Sequence, residues 1–415
     1  MSDVAARIAG APISWGVCEV PGWGWQYDPE TVLAEMRDVG IAATEFGPDG
    51  FLPGDPAEKA KTLADVGLRA VGGFVPVVLH DPTHDPVPEV ARALEGFVAA
   101  GAATLVIAAA TGRDGYDDRP VLDDAGWATL LANLDRLAEL AATQGVLATI
   151  HPHVGTMVEN AEDVRRVLAG SATGLTLDTG HLMIGGVDPV ALTLEHTGRI
   201  KHTHLKDVDA AWAAKVQSGE VSYTDAVREG MYRPLGQGDV DLAAIVGALE
   251  TSGYQGWYVL EQDTMLQAHP TDEGPVVDVR ASIAHLRHLA AGADAAAASG
   301  VEARAGADRA AGVGEGARPD AAAGGGHERA GAGRAAGAGE GARPGPAATG
   351  GGHERAGADR AAGAGAGAGA GEGARPGPAA TGGGHERAGA DPAAGESAQV
   401  DGSSDSAGSV KGGVV

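Results

Sequence analysis

The sequence predicts an α/β fold, a (β/α)₈ barrel (TIM barrel) over residues 1–290, followed by a disordered low-complexity tail over residues 291–415. Within the first part, apolar β-prone runs alternate with helical patterns eight times, and the length suits one closed barrel. Beyond about Ala291 the chain consists almost entirely of Ala, Gly, Arg, Pro, Glu and His, without Phe, Trp or Tyr. No Gly-x-Gly-x-x-Gly follows the first predicted strand, so the rival open dinucleotide-binding sheet has no support.

The predicted elements follow the chain in regular order. The predicted strands are the apolar runs 7–13, 41–46, 68–74, 104–109, 147–151, 175–178, 200–205 and 256–261. The predicted helices cover residues 28–39, 55–66, 88–100, 123–144, 160–168, 189–196, 242–252 and 276–290. Asp28-Pro29 and Asp55-Pro56 each combine an N-cap with a proline at the first helical position.

The tail is repetitive. Gly-Glu-Gly-Ala-Arg-Pro begins at positions 314, 339 and 371, and Gly-Gly-Gly-His-Glu-Arg-Ala-Gly-Ala begins at 324, 350 and 382. These units contain no side chain large enough to offset the entropy of ordering the chain. We therefore predict disorder rather than a repeat fold, and we assign no chemistry to the tail.

The charge and cysteine content exclude several classes of protein. The formal net charge is −26, mostly within the first 290 residues, and such a surface repels nucleic acid and anionic membranes. Cys18 is the single cysteine, so no internal disulfide can form. The first residues lack the apolar core of a secretory signal, and no run reaches about 18 apolar residues. We predict a cytoplasmic protein.

Four consecutive predicted strands end in metal-binding types of side chain: His151, Asp178, His204 and Glu261. Individually, each has a structural explanation, such as a histidine paired with a backbone carbonyl or an aspartate in a turn. Active sites of these barrels lie where the strands end, so the four residues converge only if the barrel closes. Mixed imidazole and carboxylate ligands suit Mn²⁺, Co²⁺, Fe²⁺ or Zn²⁺. His153, two residues after His151, is a competing ligand.

Two further features point to a pocket at the same end of the barrel. More than thirty residues separate Asp207 from Asp241, and a long insertion after a barrel strand is often a lid over the site. Trp15, Trp23 and Trp25 lie close together after the first strand, where they form either part of the core or a pocket wall. We select Trp15 as a candidate substrate-binding residue.

Several motifs resemble those of the xylose isomerase-like barrels, which include sugar isomerases, epimerases and endonuclease-IV-type enzymes. The resemblance covers nearly all of residues 1–290, is greatest to the inosose dehydratase branch, and rests on residues 11–16, 44–53, 151–156, 177–181 and 202–208. Many members have Glu, Asp, His and Glu as metal ligands, so His151 replaces the first Glu. The loop 17–27 also departs from the pattern of that branch.

The resemblance implies a metal-dependent lyase that dehydrates a keto-inositol through an enediolate. It implies Mn²⁺ or Co²⁺ first, with Zn²⁺, Fe²⁺ or Mg²⁺ as alternatives. The candidate general acids and bases are Glu45, His153, His181 and Lys206, whose separate roles the sequence does not assign. Asp207 is a candidate substrate-binding residue that also holds Lys206. If no acid serves the leaving hydroxyl, the same enediolate is reprotonated, and the enzyme is a sugar isomerase or epimerase instead.

Other classes fit the sequence less well. A DNA-repair endonuclease of this fold needs a basic groove, and a non-catalytic sugar-binding protein leaves the four strand-end residues unexplained. We expect a small polyhydroxy ketone as the substrate, with no nucleic-acid or membrane partner. Barrels of this group often associate, so by analogy we also expect a homodimer or homotetramer.

Overall fold

The computed structural model describes residues 4–291, and eight parallel strands in this range close into a barrel. These strands are β1 (Ile8–Gly10), β2 (Ala43–Glu45), β3 (Arg69–Val77), β4 (Thr104–Ala109), β5 (Leu147–Ile150), β6 (Gly174–Asp178), β7 (Ile200–Leu205) and β10 (Tyr258–Leu260). The barrel closes because β1 pairs with both β2 and β10. The predicted fold class is confirmed. The tail beyond residue 291, for which we predicted disorder, lies outside the described residues.

Helices follow the strands, and apart from those of the insertion after β7 they alternate with them around the barrel. They are α1 (Pro29–Asp38), α2 (Pro56–Val66), α3 (Val87–Ala100), α4 (Asp124–Thr143), α5 (Ala161–Gly170), α6 (Thr179–Ile184), α7 (Pro189–His196), α8 (Ala210–Gln217), α9 (Tyr223–Arg228), α10 (Leu242–Thr251) and α11 (residues 276–291). The side chains of Asp28 and Asp55 accept hydrogen bonds from the first turns of α1 and α2, as the Asp-Pro pairs predict.

The structure differs from the predicted elements at several places, including the unpredicted helix α6 after β6. The first strand is shorter than predicted because a 3₁₀ turn, Pro12–Trp15, begins where the strand was expected to continue. Conversely, β3 continues to Val77 beside β4, into the predicted loop. The insertion after β7 contains α8, α9 and a two-stranded ribbon of β8 (Asp207–Val208) and β9 (Tyr232–Arg233), none of which we predicted.

Two layers of side chains support the site from within the barrel. Ala43 and Val259 lie two residues before Glu45 and Glu261, so strand alternation puts each pair on the same face. Both belong to a small buried cluster of inward side chains. Thr149 and Thr176, two residues before His151 and Asp178, are hydrogen-bonded to each other at 2.7 Å.

Larger apolar side chains fill the space between the barrel and its helices. This main core contains Leu33 and Met36 of α1, Leu94 of α3 and Leu130 and Leu134 of α4, all buried. Within residues 4–291, no helix combines the length and the apolar character needed to cross a membrane.

Candidate metal centre

Four side chains converge at the carboxyl ends of adjacent strands: His151 after β5, Asp178 at the end of β6, His204 in β7 and Glu261 after β10. These strands are neighbours in the barrel, in the order β10, β7, β6, β5. All four side chains are buried, and one potential ligand atom of each lies within 4.8 Å of the others. Barrel closure therefore brings together four residues that are far apart in the sequence.

The distances between these atoms fit a shared cation. His204 Nδ1 lies 2.7 Å from Glu261 Oε2 and 3.6 Å from Asp178 Oδ2, and His151 Nε2 lies 3.1 Å from that same Asp178 oxygen. His204 Nδ1 and Glu261 Oε2 are not aligned for a hydrogen bond, and within residues 4–291 neither has another hydrogen-bond partner. Buried polar atoms rarely lack partners, so the two atoms are available as ligands.

The charge of the site also favours a bound cation. Asp178, Glu261 and Asp263 are buried carboxyl groups around one buried ammonium group, that of Lys206, and Glu45 is a fourth buried carboxyl group beside two imidazoles. Buried charges are stable only when they are paired or coordinate a metal. A divalent cation would offset two of the excess negative charges, so the residues present fit such an ion.

Asp178 uses its two oxygens for different purposes. Oδ1 accepts hydrogen bonds from the backbone N–H groups of Gly180 (3.0 Å) and His181 (2.8 Å) and so caps α6. Oδ2 faces His151, His204 and Lys206. Burial favours the neutral acid, but the charge of Lys206 and the hydrogen bond from His151 outweigh it and hold the pKa of Asp178 well below its usual value. Asp178 is therefore a carboxylate at neutral pH.

In the metal-free protein, the surrounding carboxylates stabilise two cationic groups. Burial disfavours the imidazolium form of His204, but Glu261 and Glu45 reverse this effect and raise the pKa of His204 well above its usual value. Burial likewise opposes the charge of Lys206, yet Asp263, Glu261 and Asp178 raise its pKa. A metal bound at His204 would have to displace the proton from its Nδ1 atom.

Two further histidines lie beside the cluster. The rings of His153 and His181 are 3.6 Å apart between centroids, and burial lowers the pKa of both well below the usual value. His153 Nδ1 donates to Val154 O at 2.7 Å, which leaves Nε2 unprotonated in the neutral ring. His181 Nε2 lies 3.2 Å from Lys206 Nζ and accepts a hydrogen bond from this ammonium group.

Lys206 is held partly by Asp263, a residue that the sequence analysis did not select. Its ammonium group contacts Asp263 and lies 3.3 Å from Glu261 Oε2. Asp263 also accepts a hydrogen bond from the hydroxyl group of Tyr223, which lies 3.1 Å from the hydroxyl oxygen of Tyr232. Both tyrosines belong to the insertion after β7, so the predicted lid contributes buried side chains to the site.

Asp207 binds backbone N–H groups of the insertion after β7 rather than Lys206. Its oxygens accept hydrogen bonds from the backbone N–H groups of Val208 (3.0 Å), Gly236 (2.7 Å), Gly238 (3.0 Å) and Val240 (3.1 Å). Adjacent residues of an extended chain point to opposite faces, so Asp207 faces the insertion while Lys206 faces the barrel. The prediction that Asp207 holds Lys206 is wrong, and Asp207 organises the loop after β9 instead.

Of the three tryptophans considered for the pocket wall, Trp23 lines the pocket and Trp15, the selected candidate, lies in the core. Trp15 lies in the main core, and its Nε1 atom donates to Glu35 Oε2 of α1 at 2.7 Å. The 3₁₀ turn at Pro12 directs the Trp15 ring toward that helix. Trp23 lines the pocket instead, and its Nε1 atom donates to Thr264 O at 2.9 Å.

The pocket over the cluster is bounded by apolar and chemically active side chains. Phe74, Tyr116 and Trp23 form walls, while Lys206 and His153 reach its surface. His151, Glu45, Glu261 and Asp263 also line it. A small polar molecule in this pocket would therefore meet the candidate ligands, an ammonium group and a free imidazole nitrogen together.

The fold and the site define a class, a parallel α/β barrel with a buried candidate metal centre at the carboxyl ends of its strands. The chain belongs to the xylose isomerase-like TIM barrel family, because the model of that family matches residues 33–289. The family that the sequence motifs indicated is confirmed.

Comparison with known proteins identifies relatives with similar sequences. The chain is 35% identical over 279 residues to the rhizopine catabolism protein MocC of Rhizobium meliloti, covering 65% of this chain and 85% of that protein. It is 31% identical over 279 residues to an inosose dehydratase of Geobacillus kaustophilus (strain HTA426), covering 64% and 90% of the two chains. These relatives agree with the predicted dehydratase branch.

Solved structures of low sequence identity share the fold. An L-ribulose 3-epimerase structure is 18% identical with a TM-score of 0.52, covering 70% of this chain and 96% of that one. A structure of the IOLI protein with a zinc atom is 13% identical with a TM-score of 0.52, covering 68% and 98%.

Proposed function

We propose that the chain is a divalent-metal-dependent hydro-lyase that removes water from a keto-inositol. The observation that carries the proposal is the buried convergence of His151, Asp178, His204 and Glu261 beneath a pocket that also exposes an acid and a base. Similarity to proteins named inosose dehydratase supports this substrate class. An acidic surface and small pocket also suit a small neutral polyol better than a nucleic acid.

His151, Asp178, His204 and Glu261 would hold the cation, with His151 rather than His153 as the first ligand. His153 Nδ1 is used by a backbone carbonyl, and this ring is not part of the converging set. When bound, a divalent cation supplies the positive charge that favours an enediolate next to the substrate ketone. Two imidazoles and two carboxylates suit Mn²⁺ or Co²⁺, with Zn²⁺, Fe²⁺ or Mg²⁺ as alternatives.

We assign the general base to His153. Its Nε2 atom carries a lone pair in the neutral ring, and the lowered pKa keeps the ring neutral at physiological pH. The ring lines the pocket, where it would take the proton from the carbon next to the ketone. His181 is less suited to this role because its Nε2 atom already accepts from Lys206.

We assign the general acid to Lys206. Its ammonium group lines the pocket and remains charged because three carboxylates surround it. It would give a proton to the β-hydroxyl as the C–O bond breaks, so the group leaves as water. The enediolate electrons then form the new C=C bond, and the resulting enol converts to a 1,2-dione. Asp263 and His181 keep Lys206 oriented.

The placement of this acid favours dehydration over isomerisation. An isomerase returns the proton to the enediolate carbon and has no need of an ammonium group at the neighbouring hydroxyl. The predicted isomerase or epimerase function is the alternative to dehydration, and the same assay distinguishes the two reactions. The cytoplasmic location and the homo-oligomer stay predictions.

The test uses the purified full-length chain with 2-keto-myo-inositol and Mn²⁺ or Co²⁺. We expect the ultraviolet absorbance of a conjugated dione to appear, and a chelator to abolish it. Lys206→Met should still exchange the α-proton of the substrate with D₂O but form dione at least about 100-fold more slowly. His153→Gln should lose both exchange and dehydration.

A matched control is Glu250→Gln, which changes a partly buried carboxylate that contacts Arg7 and Tyr258 away from the site. This variant should keep wild-type turnover. Interconversion of ketoses or inososes without dione would identify an isomerase, and the absence of either reaction would contradict the enzyme proposal.

A further inference from the structure

We infer that Glu45 is a positioning residue that fixes the ring of His204 with its Nε2–H toward β2 and its Nδ1 lone pair toward the candidate metal centre. The inference rests on the metal centre proposed above. It also changes the role predicted for Glu45, which we had considered as a general acid or base.

The geometry places one carboxyl oxygen between two imidazoles. Glu45 Oε1 lies 3.0 Å from His204 Nε2 and 2.6 Å from His202 Nε2. Glu45 belongs to β2 and both histidines to β7, so the contact crosses the barrel interior. All three side chains are almost completely buried.

The shared oxygen determines which nitrogen of His204 carries hydrogen. A single oxygen between two ring nitrogens serves both by accepting, so each Nε2 atom is the donor. To bind a metal, His204 would lose its Nδ1 proton, and the neutral ring would then keep its hydrogen at Nε2 and a lone pair at Nδ1. This Nδ1 atom is the one that lies 2.7 Å from Glu261 Oε2 and lacks a hydrogen-bond partner.

The neighbouring strand contacts Glu45 without obstructing it. A Cβ atom added at Gly72 of β3 would come within 3.4 Å of Glu45 Oε1, which is an ordinary contact distance, and within 2.8 Å of Thr104 O, which is a clash. Gly72 is therefore required by the packing of β3 on β4 rather than by Glu45. His151 has no comparable partner, because its Nδ1 atom is unpaired within the described residues.

A carboxylate that orients a metal-binding histidine commonly changes metal affinity or activity by about 10- to 100-fold when it is removed. We therefore expect Glu45→Met, which preserves the size but lacks a carboxyl oxygen, to weaken Co²⁺ binding by that factor. Glu45→Gln retains a neutral acceptor and should show a smaller loss. Glu250→Gln is the control for loss of a distant partly buried carboxylate and should bind Co²⁺ like the wild type.

The measurement is titration of the full-length apoprotein with Co²⁺, followed by visible absorption and by equilibrium dialysis to count bound ions. We expect one ion per wild-type chain and per variant chain. Unchanged Co²⁺ affinity in Glu45→Met together with loss of α-proton exchange would overturn the inference, because Glu45 would then be the general base. Two ions per wild-type chain and one in Glu45→Met would also overturn it, since a second cation would occupy the Glu45–His202–His204 group.

A second measurement uses the wild-type chain alone and so does not depend on whether a variant folds. Histidine ¹⁵N spectra of the Zn²⁺-loaded wild-type chain should show His204 with hydrogen on Nε2 and with Nδ1 bound to metal. Hydrogen on Nδ1, or metal on Nε2, would refute the inference. A wild-type chain that binds no ion would contradict the metal centre instead, and the ¹⁵N spectrum of the metal-free protein would then test the Nε2–H contact with Glu45 separately.

Discussion

Asp178 links the candidate metal centre to a helix, and two substitutions can separate the two roles. In Asp178→Asn, the amide oxygen can continue to accept from Gly180 and His181 and so keep the cap of α6. Its NH₂ group must then face His151 Nε2, where the wild-type carboxylate oxygen lies at 3.1 Å. Asp178→Ala removes both the cap and the ligand.

The two variants should therefore differ in stability but agree in metal binding. Loss of a capping oxygen costs about 0.5–2 kcal/mol, so Asp178→Ala should unfold more easily than Asp178→Asn by about 1 kcal/mol. For a barrel of this size, that difference corresponds to a melting temperature about 2–4 °C lower. Both variants should bind Co²⁺ at least about 100-fold more weakly than the wild type, because each loses a charged ligand rather than an outer partner.

The assay is thermal unfolding followed by circular dichroism, first with a chelator and then with Co²⁺ at about 100 times the wild-type dissociation constant. Saturation at this level stabilises the wild type by about 2.7 kcal/mol, whereas a variant that binds 100-fold more weakly should gain at most about 0.4 kcal/mol. Equal melting temperatures of the two variants in chelator would refute the capping argument. Wild-type Co²⁺ affinity in Asp178→Asn would refute the assignment of Asp178 as a ligand.

Three other substitutions test separate features. Asp207→Asn turns one of two accepting oxygens into a donor and should lower the free energy of unfolding by about 2–4 kcal/mol in urea, without weakening Co²⁺ binding. Gly155→Ala should destabilise the chain and raise the Michaelis constant, since φ is +75° and the new Cβ would lie 2.3 Å from Tyr116 O. Hydrogen bonds from Arg165 and Arg166 lower the pKa of Glu162 to about 2, below its usual 4.5. Glu162→Gln should therefore slightly lower the melting temperature above about pH 4.5, with the difference lost as the pH falls toward about 2.

Each of these three predictions would be contradicted by a specific result. Weaker Co²⁺ binding in Asp207→Asn would mean that the insertion also supports the ligands. A fully stable Gly155→Ala variant would show that the Tyr116 backbone moves aside at little cost. A Glu162→Gln difference that persists at pH 2, or that is insensitive to 1 M salt, would contradict an exposed ion pair as its source.

The barrel and its four candidate ligands could be predicted because both depend on local patterns. Apolar runs indicate strands, and parallel strands of a closed barrel carry their active groups at one end. Alternation also places Lys206 on the same face as His204, and the structure puts its ammonium group 3.3 Å from Glu261. The same rule, applied to Asp207, gives the opposite face, which is why its predicted contact with Lys206 was wrong.

Contacts across the barrel or with the insertion could not be predicted in the same way. The sequence contains Glu45 and His202, but their 2.6 Å contact depends on the diameter of the closed barrel. Tyr223 reaches Asp263 only because the insertion folds back over the site. Helix α6 was missed because Asp178-Thr179-Gly180 is equally typical of a turn, whereas in the structure the Asp178 side chain caps a helix.

The uneven distribution of the ligands has a consequence for dividing the chain. All four candidate ligands follow Gly145, whereas Glu45, Phe74 and Trp23 precede it. A protein split in the turn at Gly145 would place every coordinating side chain on the second fragment and the pocket walls on the first. Reassembly of the two fragments could then be followed through the visible absorption of bound cobalt. The first fragment would supply Glu45 and the pocket walls, and the second would supply the ligands.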